Sequence, residues 1–261
     1  MIYLRALRKT GGGTGYPLGI PLLQGLSRLP FEAPVTLLCG DNGSGKTTLM
    51  ELLAALSRAV RIDGGRADKA RAFGAAAGAF GVEWMRRPAR SFFFQAEDFI
   101  RYIDGLHALK TDARAAIAEA EAAYSDPYAR SQAMMPHYRT LAEIEERYQG
   151  DLDAQSHGES FLAFFGARIV PGGLYLLDEP EAALSPANQL VLLHLIADAE
   201  AQGCQLILST HSPVLLAYPG ACLYELRGGQ IAQTPYEELE SIRFLQSFLS
   251  DVKGFTGRIK S

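Results

Sequence analysis

The chain lacks the features that would place it in several large classes. Its 261 residues include three cysteines, Cys39, Cys204 and Cys222. Their number is odd, their spacing is wide, and no CxxC or Cys/His cluster accompanies them. That argues for reduced thiols and against a disulfide framework or a zinc site. No apolar run approaches the ~20 residues of a membrane span. The opening stretch MIYLRALRKTGGG has no apolar core of a secretory signal. The expectation is a cytoplasmic protein with no direct membrane insertion, so any membrane role needs another subunit. A basic excess is missing too. Net charge is −4, whereas proteins that hold duplex nucleic acid by charge alone are more basic. A local basic groove stays open as an alternative. There is no internal repeat and no low-complexity tract. What is present is ordinary globular material, 48% apolar and 21% charged, enough for a single domain over residues 1–261 with a sizeable core.

Apolar runs alternate with helical periods along the chain. Residues 1–39 read as short strands with Gly/Pro turns, ending in the buried strand Val35–Cys39. Leu49, Leu52, Leu53, Leu56 and Val60 then recur at helical spacing. Residues 63–90, rich in Gly, Ala and Arg, show no clear period. Ser91–Phe94 reads as a strand and residues 104–150 as helical. In that stretch Lys110–Tyr124 is broken at Asp126-Pro127 and resumed at Pro136–Tyr148. Strands follow at Leu174–Leu177 and Gln205–Ser209, with a helix at Asn188–Ala201 between them. Gly228-Gly229 marks a hairpin between Cys222–Leu226 and Gln230–Ala232. The tail from Tyr236 to Leu249 reads as a helix. This alternation predicts an α/β fold: a mainly parallel sheet flanked by helices, an antiparallel β part, and a small helical lobe.

The segment Gly40-Asp-Asn-Gly-Ser-Gly-Lys-Thr47 matches GxxxxGK(S/T) and lies between a predicted strand and a predicted helix, the context a phosphate loop needs. Gly40, Gly43 and Gly45, with Asn42 and Ser44, let backbone N–H groups turn inward around phosphate oxygens. The helix N-terminus adds positive partial charge. The motif predicts ATP as substrate and Mg²⁺ as cofactor. Lys46 would reach the β- and γ-phosphates, Thr47 would ligate Mg²⁺, and Thr48 would contact the α-phosphate. A second signal is Leu174-Tyr-Leu-Leu-Asp178-Glu179-Pro180, an apolar strand ending in two acids. Asp178 would hold the metal's hydration shell, and Glu179 would orient or deprotonate the attacking water.

Taken together, these motifs resemble those of the ABC-type ATPases within the P-loop NTPases, including soluble SMC-like ATPase heads. Four further segments carry the resemblance in the family's order. Gln95 looks like the Q-loop glutamine, which senses Mg²⁺ and the γ-phosphate. Gln155-Ser156-His157-Gly158-Glu159 resembles the LSGGQ signature, Ala182–Ser185 the D-loop, and His211 the switch histidine. SHGES, YLLDEPEAALSP and THSPxLLAYPG look closer still to small bacterial predicted ATPases of the AAA/ABC-like group. The signature departs from the transporter pattern at Gln155, His157 and Glu159 but keeps Ser156 and Gly158. Ser185 replaces the usual D-loop Asp. The resemblance implies that Ser156 and Gly158 of one copy cap the ATP of another, in a head-to-tail ATP-dependent homodimer. It implies Glu179, His211 and Lys46 as catalytic residues, and Thr47, Asp178 and Gln95 around the metal. Tyr16 is a candidate for stacking on the base, against its plainer reading as a loop aromatic.

Residues 96–155 would form the helical lobe, inserted between Gln95 and the signature. Ten Asp/Glu and five Lys/Arg from Asp104 to Asp153 make it acidic. That suits a solvated face or a basic protein partner better than a phosphate backbone. The basic residues Arg66, Lys69, Arg71, Arg86, Arg87 and Arg90 fit scattered pairing with the acidic lobe better than contact with nucleic acid. Lys110–Tyr124 spans only ~22 Å at 1.5 Å per residue, which excludes a long coiled-coil arm. Three outputs stay open: an ATP-driven switch acting with an unknown protein or nucleic-acid partner, the nucleotide-binding subunit of a transporter, and an ATP-binding module with little turnover.

Overall fold

A computed structural model describes residues 1–61, 73–74, 76–148 and 157–257. It divides into two compact units, residues 1–96 with 169–261 and residues 97–168.

The first unit is built on a seven-stranded sheet, in the order β10-β9-β3-β8-β7-β6-β4. These strands are β3 (Val35–Gly40), β4 (Val60–Arg61), β6 (Ser91–Gln95), β7 (Leu174–Asp178), β8 (Gln205–Ser209), β9 (Cys222–Arg227) and β10 (Gln230–Gln233). Every pairing is parallel except β9 with β10. The interior strands are buried on both faces, hence their unbroken apolar runs. The β9–β10 turn is Gly228-Gly229, both at positive φ, as the tight hairpin requires. A second, antiparallel sheet has the order β2-β1-β5, from β1 (Leu4–Lys9), β2 (Arg28–Pro30) and β5 (Phe80–Trp84). β5 falls in the stretch that showed no period, because its placement comes from pairing with β1 about 75 residues away.

Helix α2 (Lys46–Ser57) contacts strands of both sheets. Leu49, Met50, Leu52, Leu53 and Ala54 are all buried, so it is apolar around most of its circumference. One buried acid interrupts this: Glu51 pairs with Arg61, whose guanidinium lies 4.8 Å from the centre of the Phe93 ring. A short helix, α1 (Pro21–Gly25), adds Leu22 and Leu23 to the core.

Gln205 ties the two sheets together. Its Oε1 accepts from Tyr3 N and Leu4 N, each at 2.8 Å, and its Nε2 donates to Leu4 O at 2.9 Å. The residue is fully buried, so the first strand meets no water that could replace these bonds.

The second unit is helical. Its long helix, Ala96–Ala123, follows β6 without a loop, and Pro127–Tyr148 comes next. The helices are longer than the sequence periods suggest: 28 residues span ~42 Å, against ~22 Å for Lys110–Tyr124. Pro136 lies inside the second helix instead of starting it. The start is Asp126, whose carboxylate accepts from Ala129 N at 2.7 Å with Pro127 in the first turn, a strong N-terminal signal. The helix His157–Gly166 also belongs to this unit, so the lobe runs beyond residue 155 to Arg168. Phe161 and Phe164 lie 5.7 and 5.2 Å from Phe99, and Arg168 stacks 3.3 Å above Phe164.

Gln205→Ala leaves two buried N–H groups and one carbonyl unpaired. We expect a loss of about 2–4 kcal/mol of stability and a melting temperature lower by roughly 5–10 °C, measured by calorimetry.

Candidate functional site

Parallel pairing places four sequence signals along one edge of the sheet. In register, Gln95 lies opposite Asp178, Asp178 opposite Ser209, and Ser209 opposite Leu38. These are the last residues of β6, β7 and β8 and a late residue of β3. The phosphate loop starts two residues after Leu38, Glu179 directly after Asp178, and Thr210-His211 directly after Ser209. A strand thus separates the loop-bearing β3 from the acid-bearing β7. Ligands bind beyond the carboxyl ends of strands in such sheets.

The loop itself is closely packed. Gly40 has φ +141°, and a Cβ there would lie 2.2 Å from Leu226 O on β9. Gly45 has φ +100°, and a Cβ would press on Leu22 and Ile20. Lys46 is buried, and its ammonium donates to Gly40 O at 2.8 Å and Asp41 O at 3.1 Å. Burial holds its pKa below the usual lysine value, while the carboxylates of Glu179 and Asp178 act in the opposite sense. Thr48 and residues Asn42–Thr47 line a cavity of about 640 Å³ together with Glu179. The rest of its wall is Asp41, Ile20, Pro21, Leu22, and Leu226–Gly229.

Asp178 is 1% exposed. Burial pushes its pKa up to about 6, against hydrogen bonds from Ser209 and Thr47 that favour the ionised form. Gln95 Nε2 donates to its Oδ2 at 3.0 Å, and Ser209 Oγ donates to Oδ1. A buried carboxylate whose hydrogen-bond donors Gln95, Ser209 and Thr47 are all neutral is a natural place for a cation. The buried oxygens Gln95 Oε1 and Ser44 Oγ have no hydrogen-bond partner. Thr47, Asp178 and Gln95 are all hard oxygen donors, which suits Mg²⁺ carried on phosphates. No group of three or more His, Cys, Asp or Glu able to hold a metal occurs among the described residues.

Glu179 adopts φ 49°, ψ 50°, a left-handed conformation unusual for a side chain and common at functional positions. Its N–H donates to Ser209 O at 3.0 Å. His211 Nε2 lies 3.3 Å from Glu179 Oε1, and His211 N donates to Glu181 Oε1 at 2.6 Å. The Glu179–His211 pair is about two-fifths exposed, so it serves orientation more than stability. Ser209 and Glu181 were not singled out from sequence, since their partners lie about 30 residues away.

Other positions named from the sequence have different surroundings or lie outside the described residues. Ser156, with Gln155, lies outside the described residues. So do Arg66, Lys69 and Arg71. Gly158 is buried in the first turn of the helix of the second unit. Ser185 caps the helix Pro186–Ala201 by accepting from Asn188 N at 3.2 Å, a role that Ser fills as well as Asp. Tyr16 sits edge-on to Phe73, ring centres 5.8 Å apart, and does not line the cavity. All three cysteines are free and buried.

A phosphate loop after one strand and an acid pair one strand removed define a P-loop NTPase of α/β type. Two family models match parts of the chain. One, described as "AAA domain, putative AbiEii toxin, Type IV TA system", matches residues 160–217, and one described as "AAA domain" matches 22–73. The cobalt import ATP-binding protein CbiO of Salmonella typhimurium is 30% identical over 216 residues, covering 81% of this chain and 74% of that protein. The chain belongs to the ABC-type ATPases. Among solved structures, a nucleotide-free ATP-binding cassette from an ABC transporter aligns over 94% of this chain and 96% of its own. Its TM-score is 0.48 at 17% identity. The Smc head domain from Pyrococcus furiosus aligns over 95% and 100%, with a TM-score of 0.47 at 15% identity. No described helix is long and apolar enough to cross a membrane.

Lys46→Ala removes the loop's one cation. Binding of a fluorescent ATP analogue should weaken by at least about tenfold, the cost of a lost charge-assisted bond, with the nucleotide-free melting temperature nearly unchanged.

Proposed function

We propose that the protein hydrolyses Mg-ATP in a head-to-tail homodimer and works as an ATP-driven switch on a protein or nucleic-acid partner. The observation that carries this reading is the register row Gln95–Asp178–Ser209–Leu38, with Glu179 and His211 beside the phosphate loop. ATP draws Lys46 from the carbonyls of Gly40 and Asp41 toward the β- and γ-phosphates. Backbone N–H groups of Asn42–Thr47 surround the phosphate oxygens, and Thr48 meets the α-phosphate. Thr47, Asp178 and Gln95 would hold Mg²⁺, which supplies neutralisation of phosphate charge when bound. Glu179, steadied by His211, takes a proton from the attacking water. His211 then donates toward the γ-phosphate. Such chemistry depends on position and charge stabilisation more than on covalent steps.

Ser156 and Gly158 of a second copy complete the site in this reading. Closing the dimer therefore needs ATP, and hydrolysis opens it. The lobe offers the partner surface. It lies largely outside both family-model matches, which end at residue 73 and resume at 160. Its acidic balance favours a basic protein over a phosphate backbone.

The similarity to a cobalt import ATP-binding protein favours a second reading, a transporter's nucleotide-binding subunit. Recovery of a polytopic membrane protein with the chain from detergent-solubilised membranes would support that reading over the first.

Glu179→Gln keeps the shape and removes the base. Phosphate release should fall by about 100-fold or more, while sizing with ATP and Mg²⁺ shows an accumulated dimer. A monomer with undiminished turnover would refute the assignment. A wild-type protein that binds ATP without releasing phosphate would establish an ATP-binding module instead.

A further inference from the structure

The turn after β8 carries His211 and has no regular structure of its own. Thr210, His211 and Ser212 lie between the end of β8 and the short helix Pro213–Leu216. Each backbone N–H of this turn is nonetheless held. Thr210 N donates to Leu38 O at 3.0 Å, His211 N to Glu181 Oε1 at 2.6 Å, and Ser212 N to Thr210 Oγ1 at 3.0 Å. The Ser212 hydroxyl accepts from Val214 N and Leu215 N, which caps the short helix. It also donates to Gln189 Oε1 at 2.6 Å. The His211 ring is about two-fifths exposed and meets Glu179 at its Nε2. A ring so open is aimed by its backbone more than by side chains around it.

Two of these holds come from one stretch of chain, the one that follows the acid pair. Glu181 sits in the helical turn Pro180–Ala183 and Gln189 in the helix Pro186–Ala201. Gln189 uses both ends of its amide, since its Nε2 donates to Leu184 O at 3.3 Å. Successive residues, His211 and Ser212, are therefore gripped by two side chains of a single segment. Glu181 Oε2 is shut off from solvent and has no hydrogen-bond partner among the described residues. Such an oxygen costs stability, so strengthening the turn does not by itself account for a carboxylate here. An acceptor aimed at His211 N does.

We infer that Glu181 and Gln189 are positioning residues for His211: together they fix the backbone of the turn so that the imidazole reaches Glu179. Neither lines the phosphate-loop cavity, so both act through the ring. A small displacement of a group beside reacting atoms costs rate more than affinity. Their effect on turnover rests on the proposed hydrolytic roles of Glu179 and His211, whereas their hold on the ring does not.

The test follows the His211 ring by NMR in the full chain with isotope-labelled histidine and no nucleotide. Its signal is identified among the five histidines by its loss in His211→Ala. Glu179→Gln should shift this signal in the wild-type background, because the two side chains meet. In Glu181→Ala the same replacement should shift it far less. Glu181→Gln, which keeps an acceptor oxygen, should restore most of the coupling. Gln189→Ala should weaken the coupling by a smaller amount, and it carries the comparison if Glu181→Ala does not fold. In phosphate-release assays Glu181→Ala should lower kcat by about tenfold, the size of one lost hydrogen bond to a charged group, with KM for ATP little changed. A ring signal indifferent to Glu179→Gln in the wild-type background, or equally responsive in Glu181→Ala and Gln189→Ala, overturns the assignment. So does undiminished turnover in Glu181→Ala. If the wild-type protein releases no phosphate, the hydrolytic reading falls, and the ring signal alone decides whether Glu181 and Gln189 position His211.

Discussion

The site depends on parallel pairing of β3, β8, β7 and β6. A parallel sheet sends the carboxyl end of every strand to the same edge. Residues distant in sequence, Gly40, Gln95, Asp178 and Ser209, therefore come together without any loop having to reach for them. The same pairing buries both faces of these strands, which accounts for their apolar runs and for the deep placement of Asp178. Gln205 matters for the same reason. It begins β8, the strand between the loop-bearing and acid-bearing strands, and it fastens that strand to β1.

Asp178 shows how burial and chemistry are joined. Removing a carboxylate from water raises its pKa, and neutral donors offset only part of that cost. Thr47, Gln95 and Ser209 all converge on this group, so positions from three motifs meet at one atom pair. Gln95 keeps Oε1 without a partner, and the Thr47 hydroxyl that donates to Asp178 keeps lone pairs that can face a cation. Glu179 is treated differently, being partly exposed and in a left-handed backbone conformation, as suits the water-facing role proposed for it. The two neighbouring acids thereby have different environments, as their separate proposed tasks require.

The second unit follows a different logic. Its helices are set by capping and aromatic packing, with Asp126 starting one and Phe99, Phe161 and Phe164 joining two others. The helix that opens at His157 belongs to this unit, not to the sheet. His157, Gly158 and Glu159 of the segment resembling the signature are therefore carried on the same unit as the acidic helices. A partner acting on that body would act on the segment that, in the proposed mechanism, completes a second copy's site.

The phosphate loop and the acid pair were legible in the chain itself. Both are local: glycines at positive φ, a lysine and threonine at a helix start, and two acids ending an apolar strand need only their own neighbours to be recognised. The alternation of strands and helices was legible for the same reason, and so was the Gly228-Gly229 hairpin. Helix limits in the lobe were not, because Pro136 breaks a local pattern that tertiary packing and the Asp126 cap carry through. β5 was not, since its partner is β1. Tyr16 had the right residue type for stacking, yet its ring went to Phe73. The aliphatic part of the cavity wall left no trace in the sequence, because α1 and the hairpin meet only once the sheet order is complete. Local backbone chemistry thus identified a triphosphate loop from sequence alone. Strand order and register, which depend on contacts between residues far apart in the chain, decided which side chains surround it.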